Sequence, residues 1–466
     1  MQKSIERRTH SDMLPVIIAL AWPTMLEHFM QTAVQYIDTA MVGTLGTQAT
    51  AAVGSTTSLN WLINGSISAL GVGFLSYIAR SIGAKDEESA RRASAQAVMV
   101  AFVVGVFFTI LTLSISDLIP IWMQVDVSIR EMTSQYFFIL YTPMLFRSAT
   151  AIFGTLLRAV GDTKTPMIIG VLVNLVNVVL NFLFIYPTRE ITVFSHSFTM
   201  YGAGLGVAGA AIASATAFTL GGILITIALW NHPVISPKGR SFKPDFPILK
   251  PCLRVALPNM LQRFGTSLGY VVFASMINSV GEVATAAHVI ANTVESGFYI
   301  PGFGMQTAAA TLAGNMLGAH DNKHMRELTS LVIKIEIMLM IISGGLLFIF
   351  APQMVDIFSD SPEVIALGST VLRMVAVSEP FFGVAIILEG IMHGVGNTLT
   401  PFVFSMFGMW GVRIVGTFIF VTILGNGLVA AWGCMIVHNL MLFAMYTVYY
   451  KSGRWNPLNR ENESIV

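Results

Sequence analysis

Glu27, Gln31, Gln35 and Asp38 recur at i, i+4, i+8 and i+11 inside a run that is otherwise apolar. At about 100° per residue they share one helical stripe roughly 80° wide and about 16 Å long. A carboxylate at each end of an amide track suits the uptake and release of a proton or a monovalent cation. Further on, Asn174, Asn177 and Asn181 fall at i, i+3 and i+7, again on one helical face. An amide can hold a carboxylate through its nitrogen or a cation through its oxygen. Asp38, Asn177 and Asn181 therefore form a candidate cation or proton site, open to Na+, with Glu27 and Gln31 on the same track. Taken alone, the asparagines could equally be glue between membrane helices.

His288, Asn292, Glu295 and Tyr299 make a second stripe at i, i+4, i+7 and i+11, and Glu379 stands directly before Pro380. With Tyr36 they form a candidate substrate or second polar site, in which Glu295 would carry a proton or meet a cationic ligand. Glu389 and His393, at i and i+4, read as a salt bridge near a helix end, and Arg147, Arg263, Arg373 and Arg413 as groups that neutralise acids or snorkel.

The elements that must position these residues follow from composition. Of 466 residues 54% are apolar and only 11% charged, and the mean hydropathy is +0.71. A soluble domain carries about 25% charge, so the chain belongs in a bilayer. That excludes a secreted enzyme, a nucleic-acid binder and a single-pass receptor, and a net charge of +1 leaves no large field for polyanions. Apolar runs suggest twelve spans, near 14–43, 51–79, 94–119, 133–157, 165–186, 203–230, 249–279, 286–315, 328–351, 364–391, 400–424 and 428–450. Nineteen of the 26 Lys and Arg then fall on one side, only Arg130 and Arg189 on the other, and five inside spans. This bias places both termini in the cytoplasm. Cys252 and Cys434 lack metal-site spacing and read as buried, inert thiols.

The second half of the chain repeats the first at an offset of 235 residues. Ala21, Pro23, Met25, Leu26 and Phe29 fall on Ala256, Pro258, Met260, Leu261 and Phe264. Gly83-Ala84-Lys85-Asp86 falls on Gly318-Ala319-His320-Asp321, and the Gly161–Pro166 motif on Gly396–Pro401. About 14 extra residues in the first half lie in the opposite-side loop around Tyr186–Tyr201. The expected fold is all-α: a polytopic protein of twelve transmembrane helices in two pseudo-symmetric six-helix bundles, repeated in parallel. The expected division is an N-terminal lobe over 1–230, a cytoplasmic linker over 231–250 and a C-terminal lobe over 251–466. A cleft between two such lobes suits alternating access. Polar groups present in only one repeat are the informative ones, and Asp38 is matched by Phe273, Glu27 by Gln262, Glu295 by Asn60, Glu379 by Met144 and Glu389 by Gly154.

The run Tyr36-Ile37-Asp38-Thr39-Ala40-Met41-Val42-Gly43, the Arg158–Pro166 motif with its echo, Gly206–Ala211 and Pro301–Gly304 resemble the multidrug and toxic compound extrusion (MATE) family over essentially all twelve spans. The resemblance implies a secondary antiporter of the bacterial cytoplasmic membrane that exchanges H+ or Na+ for cationic, amphipathic small molecules. It implies no enzymatic activity and no cofactor beyond the coupling ion. Small molecules and membrane lipids are the expected partners, nucleic acid is not, and a monomer is expected. Asp38 matches the family's first-span aspartate, and Asn177 and Asn181 its fifth-span pair. Features of the NorM-like and DinF-like groups are mixed: Asn181 follows the former, whereas that group's seventh-span glutamate and tenth-span aspartate correspond to Thr266 and Phe382. A flippase for lipid-linked or amphipathic anionic cargo is the alternative, for which a basic cavity is expected. The sequence offers no HExxH motif, facing aspartate pair or phosphate loop for a membrane hydrolase or an ATP-driven pump.

Overall fold

The computed structural model describes residues 10–193 and 196–459. Its first half comprises α1 (His10–Gly43), α2 (Thr47–Gly83), α3 (Glu87–Ser114), a short α4 (Ile119–Trp122), α5 (Arg130–Tyr141), α6 (Met144–Ala159), α7 (Lys164–Phe184) and α8 (Gly206–Asn231). The second comprises α9 (Phe246–Asn278), α10 (Glu282–Phe298), α11 (Ile300–Gly318), α12 (Asn322–Asp356), α13 (Pro362–Gly394), α14 (Leu399–Met406), α15 (Val415–Thr417) and α16 (Leu428–Lys451). Wide π-helical turns at Phe407–Ile414 and Phe418–Ile423 join α14 to α15 and extend it. Among the described residues nine helices are long and apolar enough to cross a membrane, and the bent pair of α5 and α6 makes a tenth span. The two other expected spans correspond to α9, which carries Lys250, Arg254 and Arg263, and to α10 with α11, which break at Tyr299.

The insert in the first half is not helical. Pro187–Val193 and His196–Ala203 pair as an antiparallel hairpin, β1 and β2, a departure from the all-α expectation that is confined to the loop.

Helix starts repeat as well as sequence does. Asp86 accepts a hydrogen bond from Ser89 N at the start of α3, and Asp321 one from His324 N at the start of α12, each satisfying an orphan donor of the first turn. Just before each cap the chain passes through a left-handed residue, Lys85 (φ 61) and His320 (φ 53).

The halves are knitted together by reciprocal packing. Met13, Ile17, Leu20 and Ala21 of α1 belong to the core built by α11, α12, α13 and α16. Ile248, Leu249, Cys252 and Ala256 of α9 belong to the core built by α2, α3, α5, α6 and α8. Met13, Ile17 and Ala21 are the repeat mates of Ile248, Cys252 and Ala256, so each half lends the start of its first helix to the other. Both cysteines are free and buried, as expected.

At the basic-residue end α2 crosses α11 on the pseudo-two-fold axis. A side chain on Gly83 would run into the carbonyl of Asn315, and one on Gly318 into that of Arg80. Arg80 and Asn315 are themselves repeat mates, so the two approaches are images of each other. Nearby, Ser76 Oγ donates to Gly394 O at 3.0 Å and Thr311 Oγ1 to Arg158 O at 3.1 Å, both between halves. The segment 231–250 is folded onto α3: Arg91 donates to Val234 O and Pro233 O, Gln96 bonds Lys243 O and Asp245 N, and Arg92 pairs with Asp245 at 2.5 Å.

Candidate polar sites within the helical lobes

The first polar stripe is divided between three environments. Near the middle of the first half, Asn181 Nδ2 donates to Asp38 Oδ1 at 2.6 Å. With its amide nitrogen turned toward Asp38, the orientation its neighbours favour, Asn177 donates to both carboxylate oxygens, at 2.9 and 3.1 Å, and accepts from Ser214 Oγ at 3.0 Å. Asn177 and Asn181 are buried and Asp38 is half-buried. Asn181 Oδ1 has no hydrogen-bond partner. The carboxylate, that free oxygen and the Ser214 hydroxyl are the hard oxygen donors a proton or a small monovalent cation requires. Among the described residues no three His, Cys, Asp or Glu side chains converge as a metal cluster.

Glu27 lies elsewhere. Its Oε2 accepts from Arg158 Nη2 of α6 at 2.5 Å, an ion pair with only 12% and 17% of the two side chains exposed. Glu27 is thus neutralised by a fixed cation near the junction of the halves and does not join Asp38, contrary to the expectation from the stripe. Gln31 and Gln35 are exposed between the two carboxylates, as is Tyr36, whose ring centroid lies 6.4 Å from that of Phe358 across the halves.

The Glu27 site has a rearranged image in the second half. Gln262 and His393 stand at the repeat positions of Glu27 and Arg158, and the carboxylate comes instead from Glu389, opposite Gly154. Glu389 accepts from Gln262 Nε2 at 2.9 Å and lies 3.7 Å from His393 Nε2, which has no hydrogen-bond partner, so the two expected to form a salt bridge are neighbours and the bond goes to Gln262. Gly154 leaves the corresponding space to the Arg158 guanidinium, 3.5 Å from where a Cβ would sit.

The second stripe also separates. Glu295 is buried and accepts from Tyr299 Oη at 2.9 Å. His288 accepts instead from the Trp432 indole at 3.2 Å, in a core contact, while Asn292 is exposed. Glu379 is wholly buried with neither oxygen hydrogen-bonded. Glu336 was missed in the sequence. Its repeat mate is Ala101, so comparing the halves would have found it; it too is fully buried with both oxygens unpartnered.

Two arginines expected to neutralise acids or snorkel do neither. Arg147 donates to the amide oxygens of Asn60 and Asn64 at 2.6 and 2.9 Å, between the rings of Tyr141 and Phe218. Arg413 lies between the rings of Phe273 and Tyr270, 4.0 and 4.8 Å from their centroids. Aromatic faces stabilise a desolvated guanidinium.

Two repeated helical lobes, crossing closely at one end and carrying buried polar sites where their sequences differ, define a polytopic membrane transporter. The MatE family model matches residues 23–183 and 258–419, one stretch in each repeat. The chain belongs to the MatE family of membrane transporters. Curated relatives include a probable multidrug resistance protein NorM of Thermotoga maritima, 27% identical over 94% of this chain and 92% of that protein. The multidrug resistance protein MdtK of Proteus mirabilis is 24% identical over 85% of each chain. Among solved structures, an outward-facing multidrug resistance MATE transporter of the MOP superfamily superposes with a TM-score of 0.87 at 25% identity, covering 96% of both chains. A MOP superfamily transporter from Pyrococcus furiosus, described as having a binding pocket of reversed polarity, superposes with a TM-score of 0.86 at 25% identity over 95% of this chain and 96% of that one.

Proposed function

We propose that this chain is a secondary multidrug antiporter that exports cationic, amphipathic small molecules in exchange for inward H+ or Na+. Its relatives carry multidrug-resistance names, and the observation that carries the coupling role is Asp38, held by Asn181 and Asn177 with Asn181 Oδ1 left free. Loading Asp38 with a proton or with Na+ removes its net charge and changes what the two amides can hold, which in turn alters how α1 packs on α7. Pro23, inside α1, removes one helical hydrogen bond and makes that helix easier to bend. Glu295 and Tyr299 serve the second lobe as a polar site for the cationic substrate, with Tyr36 at the cleft wall.

The moving units in this reading are 1–230 and 251–466, with 231–250 travelling with α3. Alternating access would open the basic-residue end, where α2 and α11 now cross. The basic bias supports cytoplasmic termini in a bacterial cytoplasmic membrane, and lipids surround a monomer. No catalytic step is proposed. The buried guanidiniums of Arg147 and Arg413 are taken up by amides and rings rather than lining a basic cavity, which favours cationic over anionic cargo.

The test is efflux of ethidium from proteoliposomes under Na+ and pH gradients imposed separately. Gradient-driven efflux that Asp38→Asn abolishes is expected. Normal efflux by Asp38→Asn, or efflux that follows neither gradient, would overturn the proposal.

A further inference from the structure

We infer that the second half contains a dedicated proton-binding pair, Glu336 of α12 and Glu379 of α13, seated in a pocket that glycines of two neighbouring helices keep open. For its place in transport the inference rests on the antiporter reading; the site itself does not.

Three observations carry it. Glu336 and Glu379 are both 0% exposed, and neither carboxyl has a hydrogen-bond partner on either oxygen. An isolated carboxylate in such a setting is too costly to persist as an anion, so a buried group of this kind is either paired or neutral. Pairing is ruled out by the neighbours. Within 4.0 Å no Lys, Arg or His reaches either group among the described residues, and Arg413 is occupied by two aromatic rings.

The pocket has a definite shape. A Cβ on Gly302 of α11 would lie 2.8 Å from Glu336 Oε1, and one on Gly383 of α13 would lie 3.1 Å from the same oxygen. Met340 Cε and Ile386 Cδ1 lie 3.4 and 3.6 Å from that same position on Gly302. Alanine at either glycine would press on the carboxyl, so the glycines make the room that it fills. A Cβ on Gly344 of α12 would lie 2.9 Å from Ala376 O and 3.4 Å from Glu379 Cβ.

The walls also decide the ligand. Na+ needs several oxygen donors around it, and beyond the two carboxyls themselves the side chains found beside Glu336, Met340 and Ile386, add none. A proton needs one oxygen. On α12 and α13 themselves, Lys334 is exposed, Arg373 donates to Phe348 O at 3.2 Å, and Glu389, with His393 beside it, accepts from Gln262. Glu295 and Tyr299 come from α10 and its junction with α11 and are bonded to each other. The sequence of α11 holds no ionisable side chain. In α1, Glu27 is paired with Arg158, Asp38 with Asn181, and His28 lies against Phe303. In α16, His438 abuts Gly408 and Tyr446 abuts Phe404. In α2, Tyr77 and Arg80 lie at the basic end.

Infrared difference spectra of the purified full-length transporter in lipid nanodiscs test this without requiring transport. At pH 7 the wild type is expected to show neutral-carboxyl absorbance, part of which is lost in Glu336→Gln and part in Glu379→Gln; Glu336→Asp should move its component in frequency without removing it. Asp38→Asn should leave these components in place. Proton release on adding ethidium should fall at least twofold in Glu336→Gln. Neutral-carboxyl absorbance unchanged in both glutamine variants, or abolished by Na+ at constant pH, would overturn the inference. Failure of the antiporter reading would show separately, as absence of gradient-driven efflux in the wild type.

Discussion

Asn181 donates to Asp38 at 2.6 Å from α7 to α1, and the second oxygen of that amide has no partner. The amide thus steadies the carboxylate while leaving an acceptor beside it. Asn181→Ala removes both functions. The expected outcome is a roughly tenfold weaker dependence of ethidium efflux on the coupling ion, equivalent to about 1.4 kcal/mol, the size of one hydrogen bond to a charged group. Asn181→Asp keeps an acceptor but adds a second negative charge beside Asp38, and should bind the ion more tightly while slowing its release. Initial efflux rates titrated against the imposed ion gradient check both.

The Glu27–Arg158 pair should act on stability rather than on coupling. Glu27→Gln leaves a guanidinium that is only 17% exposed without its counter-charge. A loss of about 3 kcal/mol is expected, toward the lower end for a buried pair because both groups retain some solvent contact. Thermal unfolding in detergent measures it. The exchange Glu27→Arg with Arg158→Glu should recover part of the loss.

Arg147 holds Asn60 and Asn64 together from α6. Arg147→Met strands Asn64 Oδ1, while Asn60 Oδ1 keeps Asn64 Nδ2 at 3.0 Å and Tyr141 Oη at 3.2 Å, and should cost about 2 kcal/mol, with Arg147→Lys intermediate because it keeps the charge but loses the fork. The same unfolding measurement decides, and ion dependence should remain unchanged.

At the crossing of α2 and α11 a single methyl should be enough to shift the lobes. Gly83→Ala or Gly318→Ala brings a Cβ into a facing carbonyl, so the close approach at the basic end must loosen. Spin-label pairs across that end should report a wider and broader distance distribution in either variant, and efflux should fall by about tenfold as closure becomes harder by roughly 1–2 kcal/mol. An unchanged distance distribution would contradict the close-contact role.

Much of this was legible in the sequence because helical period and repeat offset are strong signals. The spacing of Asn177 and Asn181 placed them on one face, and the structure brings that face to Asp38. What spacing could not give was the partner across space. Glu27 and Arg158 are 131 residues apart, and nothing in the helical stripe distinguishes a carboxylate that binds a mobile ion from one tied to a fixed cation. His288 shares a stripe with Glu295, yet Trp432, from a helix far along the chain, claims its ring nitrogen. Glu336 belongs to no polar stripe of its own helix, and only its repeat mate Ala101 marks it as a carboxylate present in one half. The hairpin of β1 and β2 lay in the insert, where no repeat mate existed to compare.

The lent segments of α1 and α9 bear on how the chain is made. When α8 has been inserted, the first six spans are synthesised, yet their interior still lacks Ile248, Leu249, Cys252 and Ala256. Met13, Ile17, Leu20 and Ala21 in turn wait for α11, α12, α13 and α16. Neither bundle can therefore mature as an independent cassette during translation. Assembly is an obligatory mutual completion, and two half-length chains produced apart should be rescued only when they are produced together.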